Sequence, residues 1–387
     1  MRSSRILSAP RAEGEGAMRT GLFYGWELTA KRPAADVYAE VLEQVELADD
    51  LGFDSVLFEE AHFSAFATCA SLVGMIGAAA SSTQAIRIGT GVKALPLDNP
   101  ARVTEDYAVL DLQLNGRLIF GVGPGEREEE FRAFGVPFAE RWERFVEYLD
   151  FITKAWTHDS FSYGGRYFRF PKDTAVNLPQ PFHPEPYTKP FLLPWERGGK
   201  EVKYLSIVPK PVQLPHPPVW IGTGAPEGVQ FAARKGYAIL PGPVWSRSAV
   251  IRQYQEFAAA LKEAGRELVE IERPLIREVY VAEEQGKALQ DVQEPLRGLY
   301  HHYLQDGTLR RREGREVAEA ECTFERLLED RFLIGDPDRV FEQIKLYQQE
   351  AGINHILCRM SFPGLDHVKV LQSIRLFAAE VTTRLRS

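Results

Sequence analysis

Cysteine is scarce: the 387 residues hold three, Cys69, Cys322 and Cys358, far apart and without CxxC or Cys/His spacing. That argues against a disulfide framework and a zinc site, and reads as reduced thiols in a cytoplasmic protein with no metal centre. No apolar run approaches the roughly 18 residues that span a bilayer, so no membrane-crossing helix is expected. Positive charge is also short. Lys and Arg number 46 against 54 Asp and Glu, and a formal net charge of -8 disfavours wrapping a nucleic acid. Residues 1–17 carry Arg2, Arg5 and Arg11 without the apolar stretch of a secretory signal, and are expected to form a disordered tail.

What the chain does have is alternation of short β-rich runs with amphipathic helices, the pattern of parallel βα units. Val37, Val41, Val45 and Ala48 make one helical face, with Asp36 read as N-cap and Gly52 as stop. Strands follow at Thr20–Tyr24, Phe53–Phe58, Ala85–Ala94, Arg117–Gly123, Pro218–Gly222, Tyr237–Pro241, Pro274–Ala282 and Ile353–Met360. Helices are expected at Thr68–Ser81, Ala101–Leu114, around Phe145–Trp156, at Pro226–Lys235, Arg247–Ala264 and Val368–Leu385. One more is bounded by Asp336 as N-cap, Pro337 at the first helical position and Gly352 as stop. Eight strands with crossover helices predict an α/β fold, a (β/α)8 TIM barrel with insertions, because an open sheet of eight would leave edges.

Residues 18–387 are accordingly expected to form a single barrel domain. Two segments interrupt its rhythm. Pro- and aromatic-rich residues 171–208 exclude a helix and predict an extended insertion, while charged residues 283–332 predict solvated helices with a turn at Asp306-Gly307.

In such barrels the site lies at the C-terminal ends of the strands. Glu60 and His62 follow the second strand, and alternation puts them on one face with Val56 and Phe58. A carboxylate beside an imidazole suits proton handling near neutral pH; a surface ion pair capping a loop is the alternative. Glycines close the third strand (Gly89-Thr90-Gly91-Val92) and the fourth (Gly121-Val122-Gly123), which admits either a flat ligand or close packing. Gly222-Thr223-Gly224-Ala225-Pro226-Glu227-Gly228 is a strand end, a glycine turn and a helix start. It is a candidate phosphate site through free N–H groups and the helix dipole.

Taken together, the stretches EEAHF, IGTGVKALPLDNPARVTEDYAVLD, NGRLIFGVGPGEREEEFRAFG, PKPVQLPHPPVWIGTGAPEGVQFAARKGY and FPGLDHVKVLQSIRLFAAEV resemble the bacterial-luciferase-like flavin-dependent monooxygenases. The resemblance covers roughly two thirds of residues 19–387, in family order. It implies reduced FMN at the barrel mouth and a non-proline cis peptide at Gly91–Val92. It carries flavin contacts to Gly121, Val122 and Gly123, phosphate contacts to Gly222, Thr223, Gly224, Ala225 and Gly228, and a flavin border to Pro241 and Gly242. The implied reaction is oxygenation of a small organic substrate by O2, with reduced flavin supplied by a separate reductase and the chain acting as a homodimer. A deazaflavin-dependent hydride-transfer enzyme and a non-catalytic flavin-binding barrel are the alternatives. His183, Tyr187, Phe191 and Trp195 of the insertion are expected to face the substrate. Two departures stand out: Ala61-His62 replaces a pair of adjacent histidines, and Pro124 replaces a basic phosphate contact after the fourth strand.

Overall fold

In the computed structural model the described residues are 17–26, 28, 32–64, 69–172, 197–198, 201–202, 206–313 and 317–387. Residues 1–16 of the expected tail and the substrate candidates His183, Tyr187, Phe191 and Trp195 lie outside them. The described residues fall into two compact units: Ala94–Leu118 with Gly123–Pro217, and the remainder.

The larger unit is an α/β barrel, as the alternation of patterns predicts. Its strands are β1 (Arg19–Tyr24), β2 (Ser55–Phe58), β3 (Arg87–Thr90), β4 (Leu118–Gly123), β5 (Val219–Ile221), β6 (Ala238–Ile239), β7 (Pro274–Val281) and β8 (His355–Arg359). They are ordered β6-β5-β4-β3-β2-β1-β8-β7 in one sheet. Among the described residues no ladder joins β6 to β7; side chains close the circle instead. Phe23, Leu57, Ile119, Trp220, Ala238, Leu240, Ile276 and Leu357, from all the strands except β3, form one buried cluster. β3 contributes Gly89, where an added Cβ would meet Ile119 and Leu57. The short strand Leu333–Gly335, which nothing in its charged surroundings announces, pairs in parallel with Val279–Val281 of β7.

Helix boundaries follow local chemistry. The helix Pro337–Ala351 begins with the Asp336 carboxylate accepting from Arg339 N at 2.9 Å and ends at Gly352 with φ +67°. Pro226–Lys235 starts with Pro at its first position and stops at Gly236, φ +74°. The helix Ala34–Asp50 corrects one expectation: Pro33 is its N-cap, and Asp36 sits inside the first turn, where a carboxylate still favours the dipole. The charged segment forms Gln285–Gln305, Thr308–Glu313 and Phe324–Asp330, turning at Gly307 as expected. No helix of the described chain is long and apolar enough to cross a membrane.

Below the apolar cluster, the N-terminal ends of the strands carry ion pairs. Arg87 donates to both oxygens of Glu272 at 2.8 and 3.1 Å, and Arg19 pairs with the same carboxylate. Asp54 accepts from Thr20 N and Arg386 Nη2, both at 2.8 Å, and Ser55 Oγ meets His355 Nε2 at 2.8 Å. At this end of a barrel such groups serve stability.

In the smaller unit, Pro100–Gln113 packs with Arg141–Thr157, and Trp156 Nε1 donates to Thr104 O at 3.0 Å. Glu147 accepts from the backbone N–H of Arg166, Tyr167 and Phe168 at 2.7–2.9 Å, fixing the hairpin Tyr163–Gly164/Arg169–Phe170 that leads toward the insertion. Phe151 packs among Phe161, Tyr163, Phe168 and Phe170.

None of the three cysteines is in a disulfide. Cys69 and Cys358 are buried, and burial pushes the Cys69 thiol up to about 12 and that of Cys358 higher still. Titration of the native protein with a disulfide reagent at pH 8 is therefore expected to modify one thiol, Cys322, rapidly, and all three only after unfolding. Rapid modification of two or more would contradict the burial.

Candidate active site

The apolar cluster defines which side of each strand faces the lumen, and alternation then names the next inward position toward the mouth. Phe23 leads to Gly25, Leu57 to Glu59, Gly89 to Gly91, Ile119 to Gly121, Trp220 to Gly222, Leu240 to Gly242, Ile276 to Glu278 and Leu357 to Arg359. Four adjacent strands, β3 to β6, thus end in glycine on the lumen side. The other four supply Glu59, Glu278, Arg359 and the backbone of Gly25.

The glycine half is shaped by Val92. The Gly91–Val92 peptide is cis, at the position implied by the sequence resemblance. It interrupts the expected strand Ala85–Ala94, which runs only over Arg87–Thr90 before resuming at Lys93. A Cβ on Gly222 would lie 2.8 and 2.9 Å from the two Val92 methyl groups, and one on Gly121 would overlap the Thr90 carbonyl. These glycines therefore admit Val92 and the β3 backbone. Gly91, Val92, Gly222 and Gly242 remain partly exposed, and Val122 and Pro241 are buried.

Next to this shelf, on the β2 loop, stands a compact polar group. Glu60 Oε1 lies 2.5 Å from Lys93 Nζ and 3.3 Å from His62 Nε2, with side-chain exposures of 4, 8 and 13%. Glu60 and His62 do lie together, although Leu57 fixes the lumen face of β2 and makes Glu59, not Glu60, the inward residue. Lys93 was missed. A single lysine in a strand reads as a solvated charge, and only folding brings it to Glu60. The Glu60 carboxylate is thus held between the Lys93 ammonium and the buried Nε2 of a partly exposed imidazole, an arrangement suited to accepting or returning a proton.

The β5 turn is the candidate anion site. Ala225, Pro226 and Glu227 are exposed, and the first N–H groups of the helix Pro226–Lys235 have no carbonyl one turn earlier to bind. Thr223 Oγ1 accepts from Ala225 N at 3.2 Å and so holds the turn. Gly228 is needed because a Cβ there would strike Thr223, and Gly224 because a Cβ would strike the Trp245 ring and Gln253. Glycine here serves packing first, leaving the helix N-terminus as the donor set.

This arrangement, a parallel barrel with a cis peptide after β3 and a glycine turn opening the helix after β5, can be compared with known proteins. The profile described as "Luciferase-like monooxygenase" matches residues 18–193 and 195–355. The chain belongs to this family.

Relatives within and around the luciferase-like family divide by cofactor. The oxygenase component of a flavin-dependent trigonelline monooxygenase from Acinetobacter baylyi is 22% identical over 347 residues, 86% of each chain. An F420-dependent glucose-6-phosphate dehydrogenase from Segniliparus rotundus is 25% identical over 364 residues, 90% of this chain and 94% of that one. An uncharacterized Sinorhizobium fredii protein is 30% identical over 207 residues, and the match spans only about half of its length. Among solved structures, a monooxygenase from Streptomyces bottropensis superposes with TM-score 0.76 at 22% identity, covering 95% of this chain and 99% of that one. The oxygenating constituent of 3,6-diketocamphane monooxygenase from Pseudomonas putida, solved with FMN, gives 0.75 at 20% identity, covering 95% and 98%. These likenesses carry the luciferase-like barrel fold. Ala61, the departure from the paired histidines of luciferases, is 2% exposed and donates its N–H to Cys69 O at 3.3 Å. An imidazole has no room there without rearrangement.

Proposed function

We propose that this luciferase-like oxidoreductase is the oxygenase of a two-component system. It takes reduced FMN from a separate reductase and inserts one atom of O2 into a small organic substrate, the other leaving as water. The observation that carries this reading is the nearly buried Glu60–Lys93–His62 group standing beside the cis Gly91–Val92 shelf. The residues present fit a flavin. Val92 with the glycines behind it offers a flat support, and the helix N-terminus after Ala225 offers donors to a phosphate. Bound reduced flavin supplies the activation of O2. The chain's own residues hold the ring, exclude water and seat the His62 imidazole with Nε2 toward Glu60, so that the ring can take up or return a proton. The likeness to an oxygenase component over 86% of both chains supports the same assignment, and the family's F420 enzymes support deazaflavin hydride transfer as the competing one. As in the sequence reading, FMN, a cytoplasmic setting and a homodimer accompany the proposal.

The test is anaerobic mixing of the protein with reduced FMN, followed by admission of O2. Bound reduced FMN is expected to reoxidise more slowly than free FMN, and the protein to bind it saturably. Failure to bind FMN, together with tight binding of F420, would overturn the monooxygenase reading in favour of hydride transfer.

A further inference from the structure

The charged half of the lumen has no part in holding the flavin in the reading above. Glu278 and Arg359 are partners in register on β7 and β8, both inward-facing and only 0 and 2% exposed. The Arg359 guanidinium is fixed from two sides, Nη1 donating to Tyr303 Oη at 2.6 Å and Nη2 to Gly25 O at 3.0 Å. Its Nε, both Glu278 carboxylate oxygens and the Tyr300 hydroxyl are buried without a well-formed hydrogen bond, the Tyr300 hydroxyl making only a loose approach to Glu278. Glu59 lies at the rim of the same group, half-buried, with its carboxylate over Gly25. Buried polar atoms are nearly always satisfied, and a carboxylate left without a donor costs about 1–3 kcal/mol or more. At the N-terminal end of the strands the buried ions find partners, as Arg87 and Glu272 do. At the mouth, where barrel ligands bind, Arg359 finds two partners while the Glu278 oxygens lack a well-formed hydrogen bond.

We propose that Glu278, with Tyr300 and Arg359, is the polar recognition site for the substrate, which is a small organic molecule carrying an amino or hydroxyl group. The inference rests on the flavin occupying the glycine half. The ligand class follows from what is left unsatisfied. Arg359 already faces two carboxylates, Glu59 and Glu278, whose charge opposes a third, which makes it a poor clamp for a carboxylate ligand. The acceptors open to a ligand are the oxygens of Glu278, with the Tyr300 hydroxyl beside them. Glu59 and Glu278 face Arg359, with Arg277 acting on Glu278 as well, and the open Glu278 oxygens favour a ligand that brings hydrogen-bond donors. Burial raises the Glu278 carboxyl above its usual range, opposed by Arg359, and an amine or hydroxyl can pair with it whether or not it carries its proton. An apolar substrate would leave every one of these atoms unpaired.

Three probes of one size test this on the full chain: benzylamine, benzyl alcohol and toluene, their affinities measured by saturation-transfer NMR. FMN binding is followed separately through quenching of its fluorescence. Native protein is expected to favour the two donor-bearing probes over toluene by about tenfold or more. Glu278→Gln should remove most of that preference and leave FMN affinity unchanged. Tyr300→Phe, which deletes only a hydroxyl, should reduce it about threefold and keeps the test open if the first variant fails to fold. Equal binding of all three probes, or an unaltered preference in both variants, would overturn the proposal. Loss of FMN binding in Glu278→Gln would overturn it too, by moving Glu278 into the flavin site. A native chain that keeps the preference but ignores FMN would support the charged site and contradict the flavin reading instead.

Discussion

Glu60→Ala is expected to lower folding stability by about 3 kcal/mol, read as a lower urea midpoint at unchanged slope. Glu60 and Lys93 are nearly out of solvent and 2.5 Å apart, so removing the carboxylate strands an ammonium where water cannot replace its partner. Taking both charges away is a different experiment. In Glu60→Ala/Lys93→Met no buried charge remains, and at least half of the lost stability is expected to return, a coupling that a double-mutant cycle isolates. Both variants should lose turnover, because His62 loses the carboxylate beside its Nε2. A cost below about 1 kcal/mol in the single variant would make the pair an ordinary surface contact and remove the argument for a dry proton-handling group.

Gly222→Val is expected to weaken FMN binding about a hundredfold while circular dichroism shows the fold intact. The new Cβ would lie 2.8 and 2.9 Å from the Val92 methyl groups, so the shelf after the cis peptide must shift. Overpacking of this kind costs about 1–3 kcal/mol, which as an affinity is roughly ten- to hundredfold. The position is chosen over Gly224, where a side chain would drive into Trp245 and Gln253 and disturb the helix Arg247–Glu263 as well. Unchanged FMN affinity in Gly222→Val would place the flavin elsewhere.

The barrel was legible in the sequence because each βα unit carries its own signals. Asp336-Pro337 and Gly352 bound one helix to the residue, and Pro226 and Gly236 bound another. Asp36 misled because its side chain has the chemistry of a cap, while Pro33 fixes the backbone that starts the helix three residues earlier. The glycine-rich strand ends admit a flat ligand or close packing by sequence alone, and at Gly121 and Gly222 the close approach of Thr90 and Val92 is a long-range packing demand that no local pattern expresses. Lys93 and the Glu278–Arg359 pair escaped for a related reason. PLIREVYV and HILCR read as buried strands, and the register that sets Glu278 against Arg359 joins residues 81 positions apart. A charged residue in such a run is visible; its partner is not. Glu60 and His62 were found because they are neighbours in the chain as well as in space.

In the proposed function a flavin lies between the Val92 shelf and the helix N-terminus that follows Ala225. Fluorescence titration of the full chain with FMN and with riboflavin, which lacks the phosphate, tests both ends of that site at once. Saturable binding of both, with FMN tighter by about tenfold, is the predicted result, since the helix terminus offers backbone donors while Glu227 in its first turn opposes a phosphate dianion. Equal affinities for the two, or no saturable binding of either, would contradict it.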